Sequence, residues 1–88
     1  MKIKSGFVLD EVGGAFLAVA VGERAGEMRV LIKLNSTGAF LWSIISDNDV
    51  TEEYLVDRMM ENYGIDRSLA ERDVKVFVEK LSAGGLLE

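Results

Sequence analysis

The stretch from Met28 to Ile45, MRVLIKLNSTGAFLWSII, switches from a two-residue hydrophobic period to a helical one across a single polar punctuation, Asn35-Ser36-Thr37. Such a switch predicts a strand that runs straight into a helix with almost no loop between them. In the first half, strand alternation puts Val30, Ile32 and Leu34 on one face and Arg29, Leu31 and Lys33 on the other, the pattern of a half-buried strand. Asn35 is the expected N-cap, its side-chain oxygen placed to accept from the amide of Thr37 or Gly38, with Ser36 as the competing choice. Beyond it Phe40, Leu41, Trp42, Ile44 and Ile45 cover well over half the helix circumference and leave Ser36, Ala39, Ser43 and Ser46 to water, so this helix must lie between other elements. Gly38 costs roughly 1 kcal/mol relative to Ala inside a helix, which is tolerable where a neighbouring backbone or bulky side chain passes close to it.

Upstream, Phe7 to Leu9 leads through Asp10-Glu11-Val12 to Gly13-Gly14, a dipeptide that permits the positive φ angles of a tight hairpin turn. The second strand, Ala15 to Val21, alternates Leu17, Val19 and Val21 with Phe16, Ala18 and Ala20. Being apolar on both faces, it belongs in the middle of a sheet. Gly22 to Glu27 reads as a polar loop that returns the chain for the third strand, giving an antiparallel meander with that third strand at an edge.

Downstream, Ser46 to Asp49 forms a turn, and Thr51-Glu52-Glu53 opens a second helix with carboxylates at its positive dipole end. Its apolar stripe is Leu55, Met59, Met60 and Tyr63, and Gly64-Ile65 reads as a left-handed stop with the hydrophobic residue folding back. Asp66 or Ser68 opens the third helix, whose core face is Ala70, Val74, Phe77 and Leu81. Gly84-Gly85 ends it, and Leu86-Leu87 is an apolar tail expected to pack.

The 88 residues are read as one domain, 1–88. A chain of this size buries roughly 60 to 65% of its unfolded surface and has no room for a catalytic cleft between lobes. It contains neither Cys nor His, which removes disulfides, thiolate chemistry, the usual zinc sites and imidazole catalysis. No metal or other cofactor is expected. Carboxylate pairs such as Glu52 with Glu53 and Glu71 with Asp73 lie on helix surfaces among basic residues, and Ser36 and Thr37 sit where capping needs them, with no activating base. Lys2 and Lys4 are followed by too short an apolar run for a signal segment, and nothing approaches the ~20 apolar residues of a membrane span, so the expected location is cytoplasmic, with no membrane partner.

Beside a structural subunit without a ligand, two binding functions are open. Three helices with a small sheet suit a winged helix that reads DNA, but Asp66 to Lys80, the would-be recognition helix, carries four acidic and four basic side chains. Residues 35–88 carry eleven acidic and five basic side chains, so nucleic acid is not the expected partner. The third strand offers the other function. An edge strand exposes unpaired amides and carbonyls, a liability unless blocked and a ready site for an added peptide strand. Arg29 and Lys33 fit both readings, as guards against edge-to-edge aggregation or as attractors of acidic side chains on a peptide.

Leu34-Asn35-Ser36-Thr37-Gly38-Ala39-Phe40-Leu41-Trp42 is similar to the strand-to-helix junction of PqqD-like proteins. Thr51-Glu52-Glu53, Tyr63, Ala70, Asp73-Val74, Phe77, Leu81 and Gly85-Leu86-Leu87 follow in matching order. The resemblance spans nearly the whole chain; each piece is also a plain capping or core pattern, and its strength lies in their order and spacing. The Gly22 to Glu27 connection and the Ser46 to Val50 turn follow no family pattern. The resemblance implies an α+β, winged-helix-like domain, a three-stranded antiparallel sheet followed by three helices. It also implies the function of a recognition element for ribosomally made, post-translationally modified peptides, which binds and does not catalyse. In that family the leader of the precursor peptide adds to the third strand, lies in the groove between it and the third helix, and is delivered to a modifying enzyme, often a radical S-adenosylmethionine protein.

Carried over by position, the peptide-binding edge becomes Met28, Arg29, Val30, Leu31, Ile32 and Lys33, which tips Arg29 and Lys33 towards peptide contact. On the third helix, at about 100° per residue, Leu69, Asp73, Val76 and Lys80 form one flank of the core face and Glu71, Lys75, Val78 and Ser82 the other. Val78 lies beside the core, whereas Leu69 and Val76 are apolar residues on an otherwise charged flank. That flank is the expected peptide surface, against the alternative of two scattered surface apolars.

Overall fold

The computed structural model describes residues 1–27 and 31–88. Strands β1 (Phe7–Val12) and β2 (Ala15–Ala20) form the hairpin around Gly13-Gly14, both of which take positive φ. A five-residue helix α1 (Glu23–Glu27) follows, then β3 (Leu31–Leu34), α2 (Ser36–Ile45), α3 (Glu52–Tyr63) and α4 (Arg67–Ala83). The sheet is antiparallel in the order β1-β2-β3, which puts the apolar strand in the middle and β3 at an edge as expected.

Helix α1 replaces the polar loop expected over Gly22 to Glu27. Gly22 turns the chain at φ +60°, the Ala25 amide donates to its carbonyl at 3.2 Å, and Glu23-Arg24-Ala25 are all adequate helix formers. A contact distant in sequence then holds the turn: the Arg24 guanidinium Nε–H donates to the Ser5 carbonyl at 3.2 Å and lies 5.8 Å from the centre of the Phe7 ring. Gly6 takes φ +90°, and a Cβ there would stand 2.7 Å from that of Arg24.

The helices close as their end signals require. Asn35 accepts from the Gly38 amide at 2.8 Å, Thr51 from Tyr54 at 3.1 Å and Asp66 from Leu69 at 2.9 Å, which settles the start of α4 in favour of Asp66. Gly64 ends α3 in the left-handed region at φ +64°. Gly38 has the close neighbour its cost called for, since a Cβ there would meet the Leu34 Cβ at 3.1 Å. Replacing Asn35 with Ala removes one partner of a cap bond and should lower stability by roughly 0.5 to 2 kcal/mol, read from urea unfolding followed by circular dichroism. A melting curve unchanged by that substitution, together with lost ligand affinity, would make Asn35 a ligand contact rather than a cap.

The core lies between the inner face of the sheet and the helices. Leu41, Trp42, Ile45, Leu55, Met59, Ala70, Val74, Phe77 and Leu81 are buried there with Ala18 and Leu34, and Phe7, Leu9, Phe16 and Ile32 pack against them. All four expected core residues of α4 are inside. Tyr63 departs from its expected place on the core stripe of α3: it is 42% exposed and meets Phe40 edge to face, with centroids 5.4 Å apart. Val56 is buried instead, because α3 packs on two neighbours and its buried arc is wider than one stripe.

The two ends of the chain meet, which sequence periodicity did not foretell. Ile3 bridges Leu87, the Lys4 amide donates to the Leu86 carbonyl at 2.8 Å and the Glu88 amide to the Lys2 carbonyl at 2.9 Å, so that Ile3 and Leu86 are both buried. The Met1 ammonium donates to Asp49 at 2.9 Å, and this hydrogen bond, with its charge, holds the Asp49 carboxyl below its ordinary range. No helix among the described residues is long and apolar enough to cross a membrane.

Candidate peptide-binding groove

A strand at a sheet edge has one row of main-chain donors and acceptors satisfied by its neighbour and the other row open. Among the described residues β3 pairs with β2 alone, through Leu31–Val19, Ile32–Ala18, Lys33–Leu17 and Leu34–Phe16. Its inner-face residues are tied down: Leu34 is buried, and Ile32 packs on the core where a Cβ at Gly84, just past the end of α4, would stand 2.6 Å from the Ile32 Cδ1. The side chain of Ile32 is thus engaged inside the fold, which leaves its backbone for any added strand. Lys33 is exposed on the opposite face of the sheet. Met28, Arg29 and Val30, and with them half of the expected binding edge, lie outside the described residues, as does the side chain of Leu31.

Beside the edge is a depression of about 110 Å³. Leu34, Asn35, Thr37 and Gly38 line it from the strand-to-helix junction, and Asp73, Val76, Phe77 and Lys80 from α4. Three of the four expected flank residues are therefore brought to the junction together. Leu69, the fourth, is half-buried one turn before Asp73 and does not line this depression. On the opposite flank, Glu71 and Lys75 line a separate depression with Glu52, Glu53, Val56 and Arg67, away from the sheet.

The sequence pattern gives the junction residues Leu34, Asn35, Thr37 and Gly38, and Phe77 of α4, only capping and core roles. Their second role arises because the strand passes into the helix without a loop, so that the cap itself becomes a wall. Chemically the groove is an apolar floor, Leu34 with Phe77, bordered by Val76, which is 49% exposed. Asp73 and Lys80 place opposite charges two helical turns apart along the same flank. Among the described residues Asp73 forms a loose ion pair with Arg72, 3.9 Å from its Nε. The volume suits one or two side chains rather than a cofactor, which takes roughly 300 Å³ or more. Among the described residues no group of three or more carboxylates, histidines or cysteines is gathered for a metal.

The sequence matches the family model for coenzyme PQQ synthesis protein D (PqqD) over residues 2–87. The chain belongs to the PqqD family. Comparison with curated proteins gives no match. Among solved structures, this PqqD-family chain is similar to TbiB1 in complex with the TbiA(beta) leader peptide, at 25% identity and a TM-score of 0.74, covering 100% of this chain and 95% of that one. It also shares its fold with a lasso peptide synthetase B1 complexed with the leader peptide, at 16% identity and a TM-score of 0.72, covering 99% of this chain and 95% of the other. The α+β architecture expected from the family resemblance is the one observed, with α1 added between β2 and β3.

Proposed function

We propose that residues 1–88 act as one peptide-binding domain, which recognises the leader of a ribosomally made precursor peptide by strand addition to β3 and presents it to a modifying enzyme. The observation that carries this reading is the open edge of β3 beside a groove with an apolar floor. Main-chain pairing supplies affinity with little regard to sequence, while alternate peptide side chains, all directed to one face, meet the groove and supply selectivity. Val76, Phe77 and Leu34 receive an apolar side chain, and Asp73 and Lys80 favour a basic and an acidic peptide residue at opposite ends. The described part of β3 offers Leu31, Ile32 and Lys33 for pairing, and the continuation of the edge into Met28, Arg29 and Val30, with Leu69 further along the α4 flank, extends the same site. Membership of the PqqD family and the leader peptides named with both similar structures support this assignment. The domain binds in the cytoplasm without catalysing, and the chemistry belongs to the partner enzyme, of which a radical S-adenosylmethionine protein is one type.

Titration with a fluorescent leader peptide encoded beside this gene tests the reading, and saturable binding is the expected result. Proline placed centrally in the bound segment should damage affinity far more than alanine there, because proline removes an amide donor from the ladder. Equal effects of the two substitutions at every peptide position would argue for a helix lying in the groove instead. Absence of peptide binding, with duplex DNA bound in a steeply salt-dependent way, would turn the assignment to the winged-helix alternative.

A further inference from the structure

The core lies against one face of the sheet, and among the described residues the other face is mostly apolar. On that outer face Val8, Asp10 and Val12 of β1 lie opposite Val19, Leu17 and Ala15 of β2, and Leu17 lies opposite Lys33 of β3. The Val21 amide donates to the Gly6 carbonyl at 2.8 Å, which carries the alternation of Leu17 and Val19 on to Val21. Val8, Val12 and Val21 are 39%, 62% and 41% exposed, and neither Leu17 nor Val19 belongs to the core or packs against it.

The register places charge on this surface in a self-complementary way. Asp10, Leu17 and Lys33 form one cross-strand row, acidic at the β1 edge, apolar in the middle and basic at the β3 edge. Stacking two copies face to face about a twofold axis parallel to the strands carries β1 of each copy over β3 of the other. Asp10 then meets Lys33 of the second copy, twice, while Leu17 meets Leu17 and Val19 meets Val19 across the axis. A twofold perpendicular to the strands would instead set Asp10 against Asp10 and Lys33 against Lys33.

We infer that this outer sheet face is a homodimer interface, formed by a second copy of the chain in that first orientation. Two six-residue strands and the four-residue β3 present a face of at most about 20 by 14 Å, so the buried area falls below the ~1,200 Å² of stable complexes and the dimer is weak and transient. Sheets stacked about 10 Å apart leave room for the side chains of both faces. The two ion pairs lie at the rim, where they choose the orientation more than they add affinity. Stacking leaves the edge of β3 open, so this association is independent of the peptide-binding proposal and of its outcome.

Sedimentation equilibrium of the full chain, from about 10 μM to about 1 mM at low salt, should show a reversible monomer–dimer equilibrium in the weak range. Val19→Lys, which sets like charges against each other across the axis, should leave only monomer while circular dichroism reports a folded chain. Asp10→Lys and Lys33→Asp should each weaken the dimer at least tenfold, and the two together should restore it to within about threefold. A chain that stays monomeric throughout, or a dimer indifferent to Val19→Lys, overturns the inference. Charge variants whose effects simply add, without restoration, overturn the orientation. A monomer whose Val19→Lys variant loses its modifying enzyme would give the face to that enzyme and overturn the homodimer.

Discussion

Phe77→Ala should lower the stability of the fold by roughly 3 to 5 kcal/mol, the range for truncating a buried aromatic side chain. Phe77 is 3% exposed, lies in the middle of α4 and belongs to the same core cluster as Leu34, Leu41 and Val74. Its loss removes both the transfer energy of the ring and the contacts of everything that packed on it. Because domains of this size hold on the order of 5 to 15 kcal/mol in total, the substitution should bring the midpoint of urea unfolding down by about a fifth or more. Phe77 also lines the floor of the groove, so peptide affinity should fall in the fraction that remains folded. A loss below about 1 kcal/mol would mean that the α4 core face does not carry the fold in the way its burial indicates.

Val76→Glu should do the opposite: peptide binding weakens at least tenfold, equivalent to about 1.4 kcal/mol, while the thermal transition stays nearly unchanged. Val76 is half exposed, so the folded chain loses little when it becomes polar, whereas a peptide side chain seated against it would have to desolvate a carboxylate. Val76→Gln separates polarity from charge, since repulsion of an acidic leader can act only through the glutamate. Lys75→Glu and Ser82→Glu, on the other flank, should bind as wild type. Should Val76→Glu bind the peptide normally while Lys75→Glu or Ser82→Glu abolishes binding, the peptide lies on the far side of α4 and the groove assignment fails.

Phe77 and Val76, adjacent in sequence, differ by one helical step of about 100°, and the helical period alone assigns one to the core and the other to its flank. Ala70, Val74, Phe77 and Leu81 recur at helical spacing and are buried, and Asn35, Thr51 and Asp66 each cap the helix they precede. Caps and periodicities act over a few residues, through hydrogen bonds and side-chain directions that the local chain determines by itself. The groove was less legible. The pattern offered a flank, Leu69, Asp73, Val76 and Lys80, but could not say where along it the strand-to-helix junction would come to rest; the chain packs so that Asp73 to Lys80 meet Thr37 and Gly38, and Leu69 is left beyond.

Local sequence determined the strands, the three long helices, the caps of α2 and α3 and, Tyr63 and Val56 of α3 apart, which side of each helix turns inward, because these depend on neighbours within a turn or two. Tertiary structure alone decided the rest. Helix α1 owes its place to Arg24 reaching back to Ser5 and Phe7, Ile3 is buried because it bridges Leu87, and Asp10 shares a row with Lys33 only through the register of two strand pairings. Each of these joins residues well separated along the chain, where closing the intervening loop costs entropy that only the assembled core repays, so no short window of sequence carries the information.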